Sequence, residues 1–175
     1  IGHAGTLDPL ATGLMILGVD KGTKKLDQFI KLDKVYNASI LIGKKTSTGD
    51  LYKNCEIIKE QKISNNDINN IKNNIENILN DLFGVIKLKV PIYSAIKIKG
   101  KRLYDHAFNG NIIETPTRDM KIYYIKLLNQ YCFEDYYVID IEIKVSSGTY
   151  IRSIAEEIGN RLNLPATIKN LRRIS

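Results

Sequence analysis

Residues 138–145, VIDIEIKV, constrain the fold more than any other stretch of this chain. Ile139, Ile141, Ile143 and Val145 recur at every second position, so a strand built from them buries one face. Residues 14–19, 35–42, 85–90, 93–99 and 121–128 also read as strands. Helices are expected at about 22–31, 64–82 and 150–162. In the middle one, Ile68, Ile71, Ile75, Ile78, Leu79 and Leu82 are spaced by three and four, which makes one buried stripe. Ser64 with Asp67 resembles a capping box at its start, and Gly84 can close its far end. Its asparagines fall on the solvated face. Runs of strands broken by few helices give an α+β class with a mixed, mostly antiparallel sheet and flanking helices.

The 175 residues suit one domain with a sizeable core. No run approaches the ~20 apolar residues that cross a membrane. Cys55 and Cys132 stand far apart and outside any Cys-x-x-Cys pair, and His3 and His106 are the two histidines. Neither a metal site nor a disulfide framework is expected, and two lone cysteines suit a reduced, cytoplasmic interior. With 26 basic and 19 acidic residues the net charge is +7, which fits a polyanionic partner.

The chemistry concentrates in Gly2 to Val19, GHAGTLDPLATGLMILGV. Its one carboxylate before the apolar run is Asp8, set between Leu7 and Pro9. Pro9 fixes its own φ and biases Asp8 away from the helical region. Gly2, Gly5 and Gly13 permit backbone shapes that other residues resist. Asp8 is therefore presented by a stiff turn. An Asp-Pro pair alone is most often only a turn.

The whole string GHAGTLDPLATG resembles the catalytic motif of the TruB family of tRNA pseudouridine synthases. Four further segments agree, in the family's order: DKVYNASILIG at 33–43, PIYSAIKIKGKRLY at 91–104, GTYIR at 148–152 and LRR at 171–173. The resemblance spans essentially the whole chain and is weakest at roughly 53–82 and 109–136. It implies the pseudouridine synthase fold, a sheet with a central active-site cleft. The family carries a stretch ahead of this motif and often a small RNA-binding domain behind the catalytic one. On that ground residues 1–175 are expected to be a catalytic-domain fragment, and a leader for an organelle would belong to the segment ahead of it.

The resemblance also assigns roles. Asp8 is implied as the nucleophile that isomerises a uridine of the tRNA T-loop, without cofactor and without metal. A carboxylate in a dry pocket needs a close cation to stay ionised. The family's pattern gives that place to Arg152, whose planar fork matches a carboxylate. Tyr36 matches the tyrosine that stacks on the target base and moves a proton late in the reaction. A turned-out base needs such a π platform. Leu171 matches a leucine at the pocket, Tyr150 belongs to the GTYIR motif and is expected to touch substrate, and His3 matches a histidine that packs near the gap left by the base. Lys97, with Lys99, Lys101 and Arg102, forms a basic run interleaved with Tyr93 and Tyr104, implied to lie against RNA. The expected partner is the T-stem-loop of tRNA, met by a monomer. Two positions depart from the pattern. Ser47 stands in TSTGD where the family has an acid, leaving Asp50 as the match, and Phe108 follows Ala107 where an arginine is usual. A guide-RNA-dependent relative and a non-catalytic RNA-binding module are the alternative readings. DPLATGLM looks more like the stand-alone enzymes, and the trio Asp8, Tyr36 and Arg152 speaks against mere binding.

Overall fold

A computed structural model describes residues 1–53, 55–98, 100–108 and 114–175. The strands are β1 (Gly2–His3), β2 (Thr12–Gly13), β3 (Leu17–Gly18), β4 (Lys34–Ile42), β5 (Lys44–Thr46), β6 (Ile57–Glu60), β7 (Gly84–Lys89), β8 (Lys97–Ile98), β9 (Lys101–Arg102), β10 (Thr117–Phe133), β11 (Tyr136–Val145) and β12 (Ala166–Arg173). The helices are α1 (Asp27–Ile30), α2 (Asn65–Asp81), α3 (Leu103–Phe108) and α4 (Ile151–Leu162), with a 3-10 turn at Asp20–Lys25. Six strands form one mixed sheet in the order β2-β12-β4-β11-β10-β7. β2 runs parallel to β12, and the other neighbours are antiparallel.

The alternation in β11 does what its sequence demands. Ile139, Ile141, Ile143 and Val145 are buried together with Ala38, Ile40 and Ile42 of β4, and Ile139 pairs with Ile40 and Ile141 with Ala38. Ile71, Ile75, Ile78 and Leu79 of α2 and Ile151, Ile154, Ala155 and Ile158 of α4 join them in a single core. Each such isoleucine stabilises the fold by roughly 1.5–3 kcal/mol through burial. The capping box of α2 is present, with the Ser64 side chain accepting from Asp67 N–H and the Asp67 carboxylate accepting from Ser64 N–H. The expectation that Gly84 closes this helix is displaced by two residues. α2 stops at Asp81, and Gly84 (φ 96°) makes the turn that opens β7.

One close approach fixes the geometry of α4. Gly159 faces β12 so tightly that an added Cβ would stand 2.6 Å from the Ala166 Cβ. Asn163, left-handed at φ 57°, ends the helix, and Leu164 N–H donates back to Gly159 O at 2.9 Å. Helix and strand therefore run back to back, and their ends deliver one arginine each to the same region.

Several expected elements differ. The run 14–19 is a strand only at Leu17–Gly18, because Leu14 N–H is taken by Arg173 O and Ile16 O by Ala4 N–H, so the chain closes a loop instead of extending. Leu14, Leu17 and Val19 stay exposed. The expected helix at 22–31 splits into the 3-10 turn and the one-turn α1. Of the strand expected at 93–99, Lys97–Ile98 is strand, and Lys99 lies outside the described residues. Residues 93–96 are not strand, because Ser94 O and Ile96 O accept from Tyr104 and Leu103 N–H at the start of α3. β12 was not foreseen, since polar Lys169, Asn170 and Arg172 and a bulge between Ile168 and Asn170 interrupt its alternation. The β5–β6 hairpin and α3 were likewise not foreseen.

Candidate active site

Asp8 opens a tight turn in which Ala11 N–H donates to Asp8 O at 2.8 Å. Pro9 occupies the second position, where its fixed φ is wanted, and Asp is favoured at the first. The limbs of the surrounding loop meet at Ala4 N–H to Ile16 O, 2.9 Å, and pair as β1 and β3 with His3 opposite Leu17. The sequence thus places one carboxylate at the tip of a closed loop.

Arg152 meets it from the first turn of α4. Its Nε donates to Asp8 Oδ2 and its Nη2 to Oδ1, both at 2.9 Å, a two-pronged pair. The arginine side chain is 6% exposed and the Asp8 side chain 31%, so the carboxylate stays reachable while its counter-charge does not. Nη1 donates to Thr48 O at 2.8 Å, and Nη2 also reaches Tyr93 O at 3.1 Å. Two backbone carbonyls hold the fork in place from behind. Gly49, at φ 80°, lets this turn come within 3.3 Å of the Arg152 Cβ, measured from where its own Cβ would stand. Thr48 Oγ1 donates to the buried Asp50 at Oδ1, 2.7 Å, which ties the turn together. Ser47 therefore stands in a segment that supports Arg152 through backbone atoms.

Tyr36 lies on β4, paired with Ile143 on one side and with Arg173 on the other. It is half-buried, and the β12 register sets it beside Arg173, whose positive charge acts on its hydroxyl. Burial pushes the phenol above its ordinary 10.0, Arg173 opposes that rise, and the nearby Asp8 charge adds to it. Leu171 is buried beside Ala38, one pleat from Tyr36, and belongs to the core. Tyr150 immediately precedes α4 and packs partly buried against the same core. His3 is exposed at the base of the Asp8 loop. Lys97 is exposed on the β8–β9 hairpin, opposite Arg102, whose guanidinium donates to Tyr104 Oη at 2.7 Å. Among the described residues no hydrogen bond or ion pair joins His3 or Lys97 to Asp8. The structure thus brings Asp8, Arg152 and Tyr36 together and sets Tyr150 and Leu171 beside them.

Sequence reasoning missed Thr48, Tyr93 and Arg173. The first two act through backbone oxygens, which no side-chain pattern reveals. Arg173 was legible in LRR, but only the pairing of β12 with β2 and β4 shows what it faces. A cavity of about 190 Å³ lies behind Arg152, lined in part by Thr46, Thr48, Pro91, Ser153 and Glu156. A larger concavity of about 440 Å³ lies against Asn37, Ser39, Asn129, Asp140 and Arg172. Strand alternation points Asn37 and Ser39 away from the face that carries Tyr36. Among the described residues, no group of three His, Cys, Asp or Glu side chains is placed to hold a metal ion.

The family described as TruB family pseudouridylate synthase, N-terminal domain, matches residues 1–151. The chain is 42% identical to the tRNA pseudouridine synthase B of Caldicellulosiruptor saccharolyticus over 99% of its own length and 56% of that protein's. It is 45% identical to the enzyme of that name from Fusobacterium nucleatum, again over 56% of the relative's length. Against that from Endomicrobium trichonymphae it is 39% identical over 98% of its own length and 70% of the relative's. The chain thus spans little more than half the length of most of these relatives. Among solved structures it resembles a chain of a Cbf5–Nop10–Gar1 complex, with TM-score 0.64 and 24% identity, covering 98% of this chain and 39% of that one. It also resembles a chain of an H/ACA RNP bound to a substrate RNA containing 2′-deoxyuridine, with TM-score 0.61 and 22% identity, covering 98% and 37%. These two likenesses speak to the fold.

Proposed function

Because the chain belongs to the TruB family of pseudouridylate synthases, we propose that it isomerises a uridine in the T-loop of tRNA to pseudouridine, with Asp8 as the nucleophile and without a cofactor. The observation that carries this is the Asp8 carboxylate, gripped at both oxygens by Arg152 yet still open on one side. In this reaction the N1–C1′ bond of uridine breaks, the uracil turns and a C5–C1′ bond forms. The C5 proton leaves and N1 ends protonated, so atoms and electrons balance without an oxidant, a reductant or hydrolysis. An ionised carboxylate next to base and sugar is the reagent such a step needs. Arg152 pairs with that carboxylate at both oxygens and orients it.

Tyr36 supplies the platform. A base taken out of its stack loses stacking that an aromatic ring restores, a term worth ~1–3 kcal/mol. Its phenol keeps its proton through the neutral range, since burial holds it above 10.0. It can therefore donate to the turned base. His3 at the loop base and the Lys97 hairpin extend the surface on which RNA would lie, and the charge of +7 favours phosphate.

The test is a titration of a T-stem-loop against an unrelated hairpin at two salt concentrations, followed by analysis of the bound RNA for pseudouridine. Preference for the T-stem-loop, affinity that falls as salt rises, and conversion of one uridine are expected. Equal affinity for both hairpins with no conversion would leave generic basic attraction and refute the reading.

A further inference from the structure

Arg173 is 4% exposed, at the end of the edge-ward strand β12, and it does not touch the Asp8 carboxylate in any hydrogen bond or ion pair among the described residues. Its guanidinium is spent elsewhere. Nε donates to Leu14 O at 2.6 Å and Nη2 to Gly5 O at 3.3 Å. Gly5 stands three residues before Asp8 and Leu14 six after it, so one side chain joins both limbs of the loop that carries the carboxylate. The backbone repeats the link, since Leu14 N–H donates to Arg173 O at 2.8 Å and Gly13 pairs with Arg173. A Cβ on Gly13 would stand 2.0 Å from Arg173 O, and Gly13 holds φ 107°, so glycine is what lets the limb press against the strand. In the β12–β4 register Arg173 stands beside Tyr36, and its charge acts on the Tyr36 hydroxyl.

We infer that Arg173 is a positioning residue: it pins the Asp8 loop by its two carbonyls and sets that loop against Tyr36. The guanidinium ties the two limbs together through these part-buried carbonyls, so removing it loosens the loop. Lysine cannot substitute, because one ammonium on a flexible stem does not span two carbonyls in a fixed plane. The effect of Arg173 on rate rests on the isomerisation proposed above, whereas its effect on the loop does not.

The experiment compares the protein carrying this chain with its Arg173→Lys and Arg173→Gln variants in three measurements. Peptide-level amide hydrogen exchange should quicken across residues 5–14 by about tenfold or more in both variants, with α2 and β11 unchanged. The single-turnover rate on tRNA should fall by about 10²-fold while tRNA affinity holds, the signature of a misplaced reacting group. Arg173→Lys and Tyr36→Phe should be non-additive in rate, because the two residues are cross-strand neighbours. Unchanged exchange over 5–14 overturns the inference whatever the activity. So does quickened exchange spread over the whole chain, and so does a rate loss additive with Tyr36→Phe. If the unsubstituted protein forms no pseudouridine, the proposed function fails, and the exchange result still decides the role of Arg173.

Discussion

Two buried arginines hold the same loop in different ways. Arg152, from the start of α4, grips the side chain of Asp8 and is itself braced by two backbone carbonyls. Arg173, from the end of β12, grips the loop's backbone on either side of Asp8. The first fixes a charge and the second fixes a path. Both are possible because Gly159 lets α4 and β12 pack in contact, so the two ends share one frame. A carboxylate on a loop thereby gains the precision of a residue on a rigid element.

The comparison breaks most visibly at Arg152. Arg152→Lys keeps the charge but loses the fork and the carbonyl braces, so a drop of about 10²-fold or more in single-turnover rate is expected, with tRNA affinity nearly unchanged. A lysine variant of full activity would show that charge alone suffices. Gly13→Ala attacks the other arginine's side. With Arg173 O 2.0 Å from the new Cβ and φ at 107°, it should cost about 2–3 kcal/mol, read as a fall in denaturation midpoint. Gly22→Ala is its counterpart, in open space at an unconstrained φ, and should leave the protein about 0.5 kcal/mol more stable.

Between the two arginines stands Tyr36, and pH sharpens its part. Its folded pKa lies above the unfolded 10.0, so the fold binds the phenolic proton more tightly than the unfolded chain does. That contribution to stability is complete below pH 10.0 and is lost as the pH rises through the folded value. Neither rate nor stability should show a slope from Tyr36 between pH ~6 and ~9. An alkaline fall in rate above 10.0 should be present with Tyr36 and absent in Tyr36→Phe, as a rate–pH profile would show.

What was legible in the sequence follows from where the information is stored. The α2 stripe, its capping box and the alternation of β11 are periodic, and periodicity survives in one dimension. β4 and α4 were also placed within a residue or so. The run 14–19 misled because apolar residues that normally mark a strand here close a loop and stay exposed. β12 hid because a bulge and its polar residues break the pattern. At the site, Asp8, Tyr36 and Arg152 stood out by their motifs, and the structure brings them together. The braces at Thr48 and Tyr93 are main-chain oxygens, and the reach of Arg173 is a matter of register, so neither had a signature in residue type.

The most direct test of the central claim uses tRNA labelled with tritium at C5 of uridine, since forming the C5–C1′ bond expels that hydrogen. The unsubstituted protein should release tritium from the T-loop uridine. Asp8→Asn, which keeps the shape and removes the charge, should bind the same tRNA and release it at least about 10⁴-fold more slowly. Release at the unsubstituted rate by Asp8→Asn would contradict the account, because the carboxylate that both arginines serve would then have no part in the chemistry.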